Sequence, residues 1–176
     1  MIPVRLVTRL LGFFALAAAV VVFDQITKFW AVALLEPRGP LRLVPGLLDL
    51  VCVRNRGVAF GLFNDGDRPW QAWVLGGFAV AAMLLILRMV RHLPVQAARS
   101  LAGLALIFGG AAGNLLDRIR HGEVIDFVYF YYREWHWPAF NVADSAICIG
   151  VGLLLLDILT QERRVSDHVS DPVSHR

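Results

Sequence analysis

Two cysteines in 176 residues, Cys52 and Cys148, stand at no metal-binding spacing, and Cys148 lies inside an apolar run. Neither a disulfide framework nor a thiolate metal site is expected, and both read as packing residues. GxSxG, HExxH and CxxC are all absent, which removes the usual sequence marks of a serine, zinc or thiol hydrolase. No run of Lys and Arg interleaves with aromatics, and the net charge is only +3, from 17 basic and 14 acidic side chains. A nucleic-acid partner is therefore excluded. No internal repeat is visible.

What the chain has in excess is apolar side chains, 57% of the total, with a mean hydropathy of +0.61. That is too apolar for a soluble domain, and the length suits one compact membrane domain over 1–160. Four blocks are long enough to cross the hydrocarbon: 10–35, 70–90, 100–116 and 140–159. The N-terminus, Arg5 and Arg9 followed by LLGFFALAAAVVVF, imitates a secretory leader. Because the apolar character resumes after Asp24 through FWAVALL, the first block reads as one spanning helix.

Four spans place both termini on one side, with 161–176 as a disordered tail there. Lys and Arg do not orient the chain by number, since eight arginines fall on each side. Their density in RMVRHLPVQAAR leans toward termini inside. The connection 36–69 is rich in Pro and Gly around short apolar runs and predicts a small β element at the membrane surface, about 40–64. The connection 117–138 contains FVYFYYREWHWP, which reads first as an interfacial aromatic belt and second as a lipid-binding wall.

Ionisable groups inside spans cost about 2.5–3.5 kcal/mol at the membrane centre, so each needs a partner or a purpose. Asp24 and Lys28 in DQITK are one turn apart with the acid first, the better order for a pair. Their role is either structural or in substrate contact. In GGAAGNLLDR, Gly109 and Gly113 read as close helix packing, and Arg118 suits a helix C-terminus. Asp117, at the wrong end for that dipole, needs a fixed partner, which Arg118 or Lys28 can supply. In RNRGVAFGLF, Asn55 with Gly57 and Gly61 suits a turn, or an amide that holds a peptide backbone. Asn141 followed by Asp144 resembles a capping box.

Asp126 in GEVIDF has no such local role. Among Val, Ile and Phe, desolvation favours its protonated form, while an acid in the first turn of a helix is favoured ionised. Asp126 and Asp144 lie on one side of the membrane, where the intervening loop can bring them together. Two carboxyls with opposed environments meet the requirement for acid/base work on an amide.

In order, DQITK, NRGVAFG, GGAAGNLLDR, GEVIDF and FNVADSA resemble the motifs of the lipoprotein signal peptidases, the bacterial signal peptidase II family of intramembrane aspartic endopeptidases. The match spans Asp24 to about Ile149. The resemblance implies four transmembrane helices with a small extracytoplasmic β-cradle, cytoplasmic termini, and residence in the bacterial inner membrane. It implies Asp126 and Asp144 as the catalytic pair, with Asn55, Asn114, Arg118 and Asn141 around the bound peptide. Asp24, Lys28, Gly57 and Ala143 match further polar or small positions of the family. The implied substrate is a diacylglyceryl-modified prolipoprotein, cut before its lipidated cysteine, by a monomer without metal or organic cofactor. The segment 129–138 would border the site as a lid, its aromatics, Trp135 and Trp137 among them, gripping acyl chains. The rival reading is a proton-coupled transporter that uses the same acids as a relay.

Overall fold

In this computed structural model, residues 4–57 and 70–170 are described, with side chains over 6–57 and 70–160. Four helices carry the fold: α1 (Val4–Leu35), α2 (Trp70–His92), α3 (Ala98–His121) and α4 (Val142–Ser170). Each contains a stretch long and apolar enough to cross a membrane.

The least apolar of them, α3, is also the most buried, because it packs against α1, α2 and α4 together. A helix surrounded by protein needs small residues for close approach rather than a greasy surface for lipid. Added at Gly109, a Cβ would lie 2.7 Å from the Ala17 carbonyl oxygen of α1; at Gly110 it would collide with the Ala143 carbonyl oxygen of α4. Farther along, Gly103 meets the Gly150 backbone. The remaining spans turn large side chains outward, among them Leu11, Phe23, Trp73, Phe78 and Leu155.

Several helix ends differ from the expected bounds: α1 begins at Val4 rather than 10, and α2 ends at His92 rather than 90. Past residue 116, α3 continues to His121, since Asp117 and Arg120 find partners on α1, and it stops at Gly122, whose φ of 75° is left-handed. Helix α4 starts at Val142 rather than 140 and continues to Ser170, so the tail expected to be disordered is helical over 161–170. That stretch, QERRVSDHVS, begins with good helix formers. Residues 171–176 lie outside the described residues.

At one end of the bundle the connections α1–α2 and α3–α4 build a single antiparallel sheet, in the order β1 (Leu41–Val44), β2 (Leu48–Asn55), β3 (Val124–Tyr132), β4 (Trp135–His136). The expected cradle supplies β1 and β2; its remainder, 58–64 with Gly61, lies outside the described residues. The other half comes from the expected aromatic belt. Thus 129–138 is not a free loop: it closes a hairpin in which Tyr131 pairs with His136 and Tyr132 with Trp135, and Arg133 takes a positive φ of 55°. An unbroken aromatic run hides the two-residue alternation by which a half-buried strand is recognised.

Far from the sheet, Phe13, Ile86, Val90, Leu104 and Ala105 form an apolar core, and Arg9 donates to the Leu93 and Pro94 carbonyls beyond α2. Near the sheet, Ala31, Leu35 and Phe127 form a second cluster that seats β3 on α1.

Candidate active site

The first N–H groups of a helix have no partner within it, and the start of α4 solves this in a way that fixes an acid. Asn141 Oδ1 accepts the Asp144 N–H at 2.9 Å, and Asp144 Oδ2 accepts the Asn141 N–H at 3.3 Å. This is the reciprocal capping box expected from the spacing. A third N–H, that of Ala143, donates to Asp24 Oδ1 of α1 at 2.9 Å. With both its backbone and its carboxylate tied, Asp144 has little freedom left.

Behind it lies a fully buried ionic cluster. Lys28 Nζ stands 2.8 Å from Asp24 Oδ2 and 2.8 Å from Asp117 Oδ2, and donates to Asn114 Oδ1 at 3.0 Å. Three donors thus meet three acceptors, the condition under which a buried ammonium is tolerated. Lys28, not Arg118, is the partner of Asp117. Gln25, which carries no local mark in the sequence, donates to Asp117 Oδ1 at 2.7 Å. The Ile125 N–H reaches Asp117 Oδ2 at 3.3 Å, which ties the first residues of β3 to α3. Asp24 and Lys28 are both buried, and neither lines the cavity described below.

Asp126 enters from β3, opposite Val53 of β2, and is 2% exposed. Its Oδ1 accepts Asn141 Nδ2 at 2.7 Å and its Oδ2 accepts Asn55 Nδ2 at 2.9 Å. Burial pushes its pKa up from 3.8 to about 7; the Asn55 bond opposes this, the Asp144 charge adds to it, and the Asn141 bond and Lys28 oppose it. Asn114 Nδ2 donates to Asp144 Oδ1 at 2.7 Å, and Asn114 Oδ1 accepts Asn141 Nδ2 at 3.2 Å. Two asparagines therefore join the two carboxyl groups into one network. At the end of β2, Asn55 Oδ1 also accepts the Gly57 N–H at 3.0 Å, the turn expected of that pair.

Asp126 and Asp144 open on a cavity of about 630 Å³. Asn55, Gly57, Asn114 and Arg118 line its polar side, and Trp137, Pro138, Phe140, Ile147 and Ile149 its apolar wall. The expected residues thus divide into two groups. Six face the cavity, while Asp24, Lys28, Asp117 and Ala143 stand behind it and Asn141 links the two. Cys148 departs from expectation: it is exposed and lines the cavity instead of packing. Its place four residues after Asp144, on the same helix face, was the available clue. Of the two tryptophans, Trp137 lines the cavity and Trp135 packs on it, their rings 6.1 Å apart. The transporter reading finds no support, since the apolar core around Phe13 and Leu104 separates these acids from the other end of the bundle.

Both the sequence and the fold are similar to those of known proteins. The family model described as "Signal peptidase (SPase) II" matches residues 16–160. The lipoprotein signal peptidase of Oleidesulfovibrio alaskensis is 46% identical over 149 residues, covering 82% of this chain and 92% of that protein. That of Geobacter metallireducens is 47% identical over 156 residues, covering 87% and 94%. A bacterial membrane enzyme solved by the in meso method at 2.3 Å superposes with a TM-score of 0.74 at 25% identity, covering 93% of this chain and 94% of the other. A four-helix membrane chain with this sheet and these motifs belongs to the signal peptidase II family, the lipoprotein signal peptidases.

Proposed function

We propose that this chain is an aspartic endopeptidase of the bacterial cytoplasmic membrane, which removes the signal peptide from diacylglyceryl-modified prolipoproteins by cutting just before the lipidated cysteine. The observation that carries the reading is the meeting of Asp126 from β3 and Asp144 from α4 on one cavity, in opposed environments. Asp144, fixed at the start of α4, is the proton acceptor of the proposed reaction. Asp126, buried and raised to about 7, holds the proton.

Water bound between them gives a proton to Asp144 as its oxygen attacks the scissile carbonyl carbon. Asp126 passes its own proton to the carbonyl oxygen, so a neutral gem-diol forms. On collapse, one gem-diol hydroxyl returns its proton to Asp126, the C–N bond breaks, and the leaving amine takes the proton from Asp144. The pair ends as it began. Asn55, Asn114 and Asn141 hold the carboxyl groups in place, and Arg118 offers its guanidinium to the peptide carbonyls. The apolar wall of Trp137, Phe140, Ile147 and Ile149 suits acyl chains, with the 129–138 hairpin as its rim.

The site lies where the spans give way to the sheet, so lipid can supply the substrate while water still reaches the acids. Termini in the cytoplasm put the sheet and site at the extracytoplasmic face. Both carboxyl groups come from one chain, so a monomer suffices.

A transition-state isostere tests the chemistry. A lipidated precursor peptide whose scissile amide is replaced by hydroxyethylene should bind the purified enzyme at least about 100-fold more tightly than the same peptide with a plain ethylene there. Asp126→Asn should abolish that preference. Equal binding of the two peptides by the unmodified enzyme would refute an aspartic mechanism.

A further inference from the structure

Glu123 is almost fully buried in the turn between α3 and β3, yet it takes no part in the reaction described above. Each of its carboxylate oxygens holds one arginine of β2 or the residue just beyond it. Arg54 Nη1 donates to Oε1 at 2.7 Å, and Arg56 Nε donates to Oε2 at 3.0 Å. The other edge of the Arg54 guanidinium reaches Glu36 Oε1, at the end of α1, at 2.6 Å and 3.1 Å.

Asn55 lies between the two arginines and is the last residue of β2, paired with Val124 at the end of the ladder. Successive strand side chains point to opposite faces. Arg54 and Arg56 therefore fall on one face with Glu123, and Asn55 falls on the other with Asp126, which it bonds at 2.9 Å. A strand end held by few ladder bonds would fray, and here a two-armed ionic grip on its back restrains it. A buried carboxylate that receives two arginines is the anchor.

We propose that Glu123 is a positioning residue for the catalytic pair: by gripping Arg54 and Arg56 from behind the sheet, it aims the Asn55 amide at Asp126. The proposal rests on the reading of Asp126 as catalytic, but its effect can be measured without turnover. The Asn55 bond favours the ionised form of Asp126, so loosening it leaves Asp126 protonated to higher pH.

The direction separates this role from simple charge loss. Removing the Glu123 charge and uncovering two arginines would by themselves favour an ionised Asp126 and move its titration downward. The other charges around Asp126, those of Asp144, Lys28 and Arg118, stay in place in every variant. Glu36 remains on the far side of Arg54.

The experiment follows the carboxylic C=O stretch of Asp126 by infrared titration of the purified full-length protein, the band being assigned by its loss in Asp126→Asn. Asn55→Ala should raise the midpoint by about one pH unit, the worth of one hydrogen bond to a charged group, and Glu123→Ala should raise it by less, because the lost charge pulls the other way. The double variant should rise no further than Asn55→Ala alone. Glu123→Gln, which keeps the side chain's shape and one acceptor oxygen but loses its charge, should give a smaller rise and keeps the test open should Glu123→Ala fail to fold. A midpoint that stays or falls in Glu123→Ala and Glu123→Gln, or shifts that add in the double variant, would overturn the proposal. If the midpoints rise as stated while the unmodified protein cleaves no lipidated precursor, the grip stands and the peptidase reading falls.

Discussion

At the scale of a single residue, the proposed mechanism makes Asp126 set the pH dependence of activity. Burial raises its pKa to about 7, and the mechanism needs its proton. Activity is therefore present while Asp126 is protonated and is lost as pH rises through about 7. The prediction is a kcat/KM that falls on the alkaline side of about 7. A profile that stays level through roughly pH 9 would show that Asp126 is not the acid. Asp144 is dual-purpose, which is why local reasoning about it can mislead. It is a helix cap and also a cavity wall, so its capping role stands without excluding chemistry.

Among the elements, α3 governs the packing, and its glycines provide a contrast within the fold. Gly110→Ala would drive a methyl into the Ala143 backbone that carries the α4 N-terminus, and should cost about 1–3 kcal/mol and much of the activity. Gly77→Ala and Gly152→Ala, with open space around them, should leave thermal stability in detergent unchanged or slightly higher. Equal losses at all three would contradict the packing described. The spans were legible in the sequence because a run of some twenty apolar residues is too long for an ordinary core helix and suits the thickness of the hydrocarbon. The beginnings of α4 and of the cradle were legible through capping and turn residues. What could not be read is the pairing of β2 with β3, since the partners Val53 and Asp126 are far apart in the chain and no local window contains both. For the same reason Glu123 carries no mark in the sequence: its two arginines reach it only once the sheet has formed.

The whole molecule is held together at its polar centre as well as by its apolar cores. Lys28 joins α1 to α3 through Asp117 and Asn114, and Asp24 carries the connection on to α4 through the Ala143 N–H. The site's frame and the bundle's frame are thus one structure. Lys28→Met would leave Asp24 and Asp117 buried without their shared cation, and should destabilise the fold by about 3–5 kcal/mol, read as a large drop in melting temperature. A drop of only a degree or two would mean that the cluster contributes little. On the proposed reading, the apolar outer surface, the sheet at one end and the cavity beside it suit an enzyme that meets its substrate from the membrane and its water from outside it. The most direct measurement is cleavage of a diacylglyceryl-modified precursor by the purified protein in detergent, beside Asp126→Asn and Asp144→Asn variants with unchanged helical circular dichroism. The account predicts release of the signal peptide by the unmodified chain and a loss of about 10²- to 10⁴-fold in each variant. Undiminished cleavage by either folded variant would contradict it.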